Sequence, residues 1–300
     1  MGRVRRFVRY LPALVLGRPL RGVERYRPFF IVGSGRCGTT LLRAMLEAHP
    51  DVHIPPENDL RAAIRAWRTY SRLPWNAVLR LVLGRFEFHP QWERWELSLG
   101  SLFQDLDRRS GRARTLATVL DALYRAHLHR HKPSALRWGD KTPSNVYALA
   151  SLRAVFPDLR VVQMVRDGRD VVGSCLRIYD DGLTSAAEKW VRAVHTGQRF
   201  GARHPGQYLE VRYEALVREP RATLQRVGTF LDVPFEERML HYHELGLKLG
   251  DVERIPHMQG VRQPIHGAAV GRWRTQFTPD EIRTLDRLLG PTLADLGYDG

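Results

Sequence analysis

The stretch Ile31–Leu42, with the sequence I-V-G-S-G-R-C-G-T-T-L-L, constrains the fold of this chain more than any other. The apolar run from Phe29 to Val32 predicts a buried strand, and Thr40–Ala48 predicts a helix. The glycines between them let backbone N–H groups turn toward an anion, and the helix dipole favours its negative charge. The sequence therefore predicts a strand–loop–helix cradle for a phosphate group.

The spacing of two glycines in this loop, Gly33-x4-Gly38, matches that of a P-loop nucleotide site. The lysine that follows the second glycine of a P-loop is absent, because Thr39 occupies its place. An arginine, Arg36, lies inside the loop instead. This combination indicates a phosphate-bearing ligand other than the ATP of an ordinary ATPase.

A second strand, basic loop and helix are predicted in Leu159–Leu176, which reads L-R-V-V-Q-M-V-R-D-G-R-D-V-V-G-S-C-L. Together the two stretches resemble the 5′-phosphosulfate and 3′-phosphate motifs of sulfotransferases that use 3′-phosphoadenosine-5′-phosphosulfate (PAPS). The motifs are nearest to those of the protein-tyrosine, carbohydrate-type and bacterial enzymes, and the resemblance covers roughly Phe29 to Tyr298. It implies an α/β fold of the P-loop-NTPase-like sulfotransferase type, with a central parallel sheet flanked by helices.

The resemblance also implies an activity: transfer of a sulfonyl group from PAPS to a hydroxyl or amine, with release of 3′,5′-adenosine bisphosphate (PAP). PAPS is then a co-substrate, and no metal is required. By resemblance Arg166 and Ser174, eight residues apart, hold the 3′-phosphate. The other donor-binding residues implied are Arg36, Cys37, Gly38, Thr39 and Thr40 at the 5′-phosphosulfate, and Tyr213, Arg272 and Trp273 nearer the nucleotide.

Three residues are the catalytic candidates. Glu57 matches the position of the catalytic glutamate of protein-tyrosine sulfotransferases, and the lead-in from His49 to Val52 matches as well. The chain departs from that pattern at Pro56, where those enzymes have another acid. Lys141, in G-D-K-T-P, resembles the family lysine that offsets charge on the bridging oxygen of the donor. Arg36 is the third candidate and is expected to supply positive charge to the same group. Asp140 and His53 remain open as alternative bases.

Strands alternating with helices predict a parallel sheet with ligands at the carboxyl ends of its strands. Further strands are expected at Asp51–Ile54, Ala135–Trp138, Arg160–Val165 and Tyr208–Arg212. Residues 1–28 form a basic N-terminal segment, and residues 29–300 form a single domain. A helical insertion at about 59–132 is expected to cap the acceptor site, and the aperiodic stretch His257–His266 is a candidate flap.

The net charge of +15 favours an anion-binding protein, because a positive surface steers anionic ligands. Nothing in the sequence resembles a zinc spacing or an aromatic-rich basic repeat, so no metal and no specific nucleic acid are expected. The two cysteines, Cys37 and Cys175, fit a reducing cytoplasm. Residues 1–21 are basic and partly apolar, which is compatible with peripheral contact at the inner membrane surface or with a flexible arm.

The sequence is compatible with a small-molecule, a carbohydrate or a lipid acceptor. Two other functions remain open. One is an ATP-dependent phosphotransferase with the same phosphate cradle, which the missing lysine at Thr39 disfavours. The other is a nucleotide-binding protein without catalysis.

Overall fold

A computed structural model describes residues 17–298 of the protein, and within that range the chain builds a five-stranded parallel sheet in the order β2-β3-β1-β4-β5. The strands are β1 (Phe29–Gly33), β2 (Val52–His53), β3 (Arg137–Lys141), β4 (Arg160–Val165) and β5 (Tyr208–Arg212). The α/β parallel architecture expected from the sequence is confirmed. Much of the basic N-terminal segment, residues 1–16, lies outside the described range.

Helices follow or connect the strands. The α-helices are α1 (Thr39–Glu47), α2 (Leu60–Tyr70), α3 (Trp75–Glu87), α4 (Gly100–Asp107), α5 (Leu116–His131), α6 (Leu149–Val155), α7 (Gly168–Ile178), α8 (Leu183–Arg203), α9 (Tyr213–Arg218), α10 (Pro220–Leu231), α11 (Trp273–Gln276) and α12 (Pro279–Asp295). The 3-10 helices are Trp92–Trp95, Gly111–Ala113, Pro143–Ala148, Pro205–Gln207, Glu237–Met239, Tyr242–Glu244 and Pro256–Arg262. Between residues 17 and 298, no helix is long and apolar enough to cross a membrane.

Strand β1 lies at the centre of the sheet, between β3 and β4. All of its residues are buried, as expected for a parallel strand covered on both faces. Phe29 and Ile31 join one apolar cluster, while Phe30 and Val32 join another on the opposite face. This alternation with period two divides the core into two layers, one on each side of the sheet.

The stretch between β2 and β3 is helical, as the sequence predicts. Its helices α2–α5 supply much of the apolar cluster on the Phe30 face. Trp67, Trp75 and Trp95 are buried in that core, whereas Trp92 is partly exposed. Most of the insertion's tryptophans therefore stabilise the fold, because aromatic side chains bury a large apolar area.

The predicted strand Ala135–Trp138 is misplaced: β3 runs from Arg137 to Lys141. The sequence R-W-G-D-K looks polar, yet its last four residues are buried. The Trp138 ring stacks on Tyr124 at 4.1 Å between centroids, and Asp140 and Lys141 bind polar partners described below. Most of these partners lie in other segments of the chain, so the burial of Asp140 and Lys141 leaves no apolar pattern in the local sequence.

Candidate active site

The first phosphate loop connects β1 to α1. Gly35, Arg36 and Gly38 have positive φ angles of 81°, 53° and 93°, which is how the chain turns sharply at this point. A side chain at Gly38 would collide with the ring of Tyr213. Helix α1 has no side-chain cap at its N-terminus, so its first N–H groups remain available for an anion.

The second loop connects β4 to α7 and contacts the first. The Arg166 guanidinium donates to the Arg36 carbonyl at 3.2 Å and lies 4.7 Å from the centre of the Tyr213 ring. The Arg36 side chain in turn donates from Nε to Ser174 Oγ at 3.1 Å. The structure therefore brings Arg36, Arg166 and Ser174 together, although the sequence assigned them to two separate phosphates.

The two loops form the floor of a cavity of about 300 Å³. Predicted residues among its lining are Arg36, Gly38, Thr39, Thr40, Arg166, Ser174, Tyr213 and Arg272. Cys37 is fully buried beneath the loop, and burial raises the pKa of its thiol. Trp273 is also buried, with the Arg169 guanidinium 3.8 Å from its ring centre. These two predicted side chains pack beside the cavity rather than line it.

A segment from residue 256 to residue 272, the covering segment, closes one side of this cavity. The Arg36 Nη2 donates to the His257 carbonyl at 3.5 Å, and the Arg166 guanidinium donates to the Ala269 carbonyl. Asp170, in the first turn of α7, accepts from the N–H groups of Gly271 at 2.8 Å and Trp273 at 3.0 Å. Both phosphate-loop arginines therefore contact the stretch that contains the predicted flap.

Lys141 and Glu57 lie in direct contact beside the first loop. Lys141 ends β3 and is fully buried, whereas 27% of the Glu57 side chain is exposed. The Lys141 ammonium donates to Glu57 Oε1, to Thr40 Oγ1 at 3.3 Å and to Asp251 Oδ2 at 3.4 Å. The contact with Thr40 joins this ion pair to the phosphate cradle.

Asp251 has no counterpart among the residues singled out in the sequence. Burial alone would raise the pKa of its carboxyl, but the adjacent Arg43 and Lys141 charges hold that pKa below its usual range. Asp251 comes from an irregular stretch without hydrophobic periodicity. Its importance is visible only once the chain is folded around Lys141.

The alternative bases lie in different surroundings. Asp140 is buried and accepts hydrogen bonds from Tyr124 at 2.6 Å and Asn145 at 2.7 Å, and burial raises the pKa of its carboxyl to about 6. Both ring nitrogens of His53 are engaged, with Glu47 at 3.0 Å and His127 at 2.7 Å. Glu57 is the partly exposed acid beside Lys141, which favours it over both.

Within residues 17–298, no group of three or more His, Cys, Asp or Glu side chains is arranged to hold a metal ion. Burial also raises the pKa of the Cys175 thiol to about 11, so that thiol is predominantly protonated at neutral pH. The polar groups that line the cavity and the adjacent ion pair are arginines, Lys141, carboxylates, hydroxyls and backbone N–H groups.

A model described as the sulfotransferase family matches residues 28–237, which include both phosphate loops and the Glu57–Lys141 pair. The chain belongs to the sulfotransferase family. This sulfotransferase is 27% identical over 278 residues to a putative protein-tyrosine sulfotransferase of Caenorhabditis briggsae, covering 90% of this chain and 88% of that protein. It is 29% identical to protein-tyrosine sulfotransferase 1 of Danio rerio, covering 90% of this chain and 72% of that protein.

Solved structures agree on the sulfotransferase fold. The sulfotransferase domain of the Synechococcus PCC 7002 olefin synthase matches with a TM-score of 0.61 and 25% identity, covering 88% of this chain and 94% of that domain. The sulfotransferase domain of the curacin biosynthetic pathway matches in fold with a TM-score of 0.62 and 21% identity, covering 92% and 99%. The membership expected from the two loop motifs is confirmed, and it makes the protein a sulfonyl-transferring enzyme.

Proposed function

We propose that the protein transfers the sulfonyl group of PAPS to a hydroxyl of its acceptor and releases PAP. The observation that carries this proposal is the convergence of two anion-binding loops on one cavity, with a buried Lys141 and a partly exposed Glu57 beside the first loop. A sulfonyl transfer needs cations at the donor oxygens and a base near the acceptor. The family match favours this reaction over the phosphotransferase alternative.

In the proposed reaction Glu57 takes the proton of the acceptor hydroxyl as the acceptor oxygen bonds to sulfur. The bond between sulfur and the bridging oxygen of the 5′-phosphate breaks, and its electron pair stays on that oxygen. Lys141, Arg36 and the N–H groups at the start of α1 offset the charge that develops there. The products are a sulfated acceptor, PAP and a proton on Glu57.

The 3′-phosphate of the donor is proposed to bind Arg166 and Ser174. Both line the cavity, and Tyr213, which stacks under Arg166, fixes the direction of the guanidinium. A guanidinium gives a phosphate two parallel hydrogen bonds, which makes this contact strong and geometrically selective.

Calorimetry with PAP and AMP tests the donor assignment. PAP should bind about 10- to 150-fold more tightly than AMP, because AMP lacks the 3′-phosphate that makes charge-assisted hydrogen bonds with Arg166 and Ser174. Ser174→Ala should lower the ratio of PAP affinity to AMP affinity. The control is Ser151→Ala, at a hydroxyl that accepts from exposed Arg68, and it should leave this ratio unchanged. Equal affinity of the wild type for the two nucleotides would contradict the assignment.

The acceptor is proposed as a hydroxyl compound. The sequence is compatible with a small molecule, a carbohydrate or a lipid, and the relatives named protein-tyrosine sulfotransferases add a tyrosyl phenol within a peptide. An acceptor panel of tyrosine-containing peptides, simple phenols, sugars and lipid extracts distinguishes these classes.

A further inference from the structure

Asp251 is a buried carboxylate that binds two cations at once. It is fully buried, with Oδ1 paired to Arg43 and Oδ2 3.4 Å from the Lys141 ammonium. Its Oδ1 also accepts from the N–H of Val252 at 3.0 Å. A carboxylate held in this way cannot reorient without breaking several charge-assisted contacts.

Arg43 fixes the position of Asp251. It is buried on helix α1 and donates to the Ile54 carbonyl from Nε at 3.0 Å and Nη2 at 2.7 Å. It also donates to the Leu249 carbonyl at 2.8 Å. The arginine thus ties three segments together: the helix of the phosphate cradle, the chain leading to Glu57, and the stretch that carries Asp251.

The contacts of Lys141 explain what a second carboxylate contributes. An ammonium has three donors, and Lys141 uses them for Glu57, Thr40 and Asp251. In the proposed reaction Glu57 must accept a proton, and Lys141 must turn toward the bridging oxygen of the donor. When the bridging oxygen replaces Glu57 as a partner of Lys141, the ammonium keeps three hydrogen bonds only if Thr40 and Asp251 stay in place.

We propose that Asp251 is a positioning residue that holds Lys141 against the phosphate cradle while the donor oxygen replaces Glu57 as its third partner. The inference rests on the proposed function, since Lys141 has this role only in sulfonyl transfer. It adds a residue from outside both phosphate motifs to the machinery of the reaction. Asp251 itself touches neither donor nor acceptor.

A double-mutant cycle between Asp251 and Lys141 tests the inference, with kcat and PAP affinity measured for each variant. Asp251→Asn should lower kcat about 10-fold or more while PAP affinity stays nearly constant, because PAP carries no sulfonyl group for Lys141 to stabilise. In the Lys141→Met background, Asp251→Asn should change kcat by less than about 2-fold, because its target is gone. Asp105→Asn, at an exposed acid that pairs with Arg108 far from the site, should behave as wild type.

A merely structural role makes a different prediction. It would lower kcat by the same factor with or without Lys141, and that result would overturn the inference. If Asp251→Asn does not fold because Arg43 is left unpaired, Arg43→Met/Asp251→Asn removes both charges and supplies the cycle instead. Full activity of Lys141→Met would refute the role of Lys141 in the proposed function, whereas full activity of a folded Asp251→Asn would refute this inference alone.

Discussion

At the scale of single residues, the contact between Glu57 and Lys141 links the proposed base to the charge proposed to stabilise the leaving group. Neither residue is isolated: the lysine is buried, and the glutamate keeps part of its side chain exposed. A carboxylate in this position can accept a proton from a hydroxyl arriving from the solvent side. The pairing also explains how a buried ammonium is tolerated before any donor is bound.

Glu57→Gln tests the base directly. Turnover should fall by about 10²–10⁴-fold, the usual effect of losing a general base, because glutamine keeps the shape but cannot take the proton. PAP affinity and thermal stability should stay close to those of the wild type. Asp59→Asn, which alters an adjacent acid but preserves a helix cap, is the matched control. If Glu57→Gln keeps most of the wild-type rate, another group takes the proton.

Asp140 gives the folded state a defined pH dependence. Its pKa of about 6 lies above the ordinary value of 3.8, so the folded protein binds an extra proton between those values. The stability that this carboxyl contributes is present at low pH and is lost as pH rises toward 6.

The substitution Asp140→Asn should remove that pH dependence. The free energy of unfolding of the variant relative to the wild type should rise by about 2 kcal/mol between pH 4 and pH 7. The Asn145 amide can rotate to accept from the new amide, since its oxygen has no partner among the described residues. Urea denaturation at a series of pH values measures the difference, and a constant difference would contradict the prediction.

At the scale of elements, helix α7 and the covering segment are joined by hydrogen bonds to Asp170. The helix supplies Ser174 to the cavity, and its first turn supplies Asp170. Asp170 accepts from the N–H of Gly271 near the end of the covering segment and from the N–H of Trp273 just beyond it. In the proposed function the donor phosphates would compete with the His257 and Ala269 carbonyls for Arg36 and Arg166, so donor binding should reorganise this segment.

Asp170→Asn should weaken PAP binding about 10-fold, because the charge-assisted hydrogen bonds to Gly271 and Trp273 and the ion pair with Arg166 are all weakened. Hydrogen exchange of residues 256–272 should become faster at the same time. Asp181→Asn, at a surface acid that pairs with Lys189, is the control and should change neither quantity. Unchanged PAP affinity together with faster exchange would show that the segment does not contribute to donor binding.

At the scale of the whole molecule, the features that the sequence predicts correctly are those set by the order of residues within a short stretch of chain. An apolar run, a glycine loop and a helix follow one another along the chain at both phosphate loops, so the loops and the parallel sheet were predictable. The predicted position of strand β3 was wrong by two residues at its start and three at its end, because Asp140 and Lys141 are buried through partners elsewhere in the chain.

The pairing of Asp251 with Lys141 could not be predicted in the same way. The two residues are 110 positions apart, and neither lies in a periodic pattern that signals burial. Buried ion pairs are selected by the folded environment, which supplies both the low polarity and the partner.

Incubation with radiolabelled PAPS and the acceptor panel, in the presence of EDTA, tests the central claim most directly. The account predicts label on an acceptor hydroxyl, with one PAP released per transfer and an undiminished rate in EDTA, because Lys141, arginines and N–H groups supply the positive charge. Failure to transfer label from PAPS, together with magnesium-dependent transfer of the γ-phosphate of ATP, would contradict it.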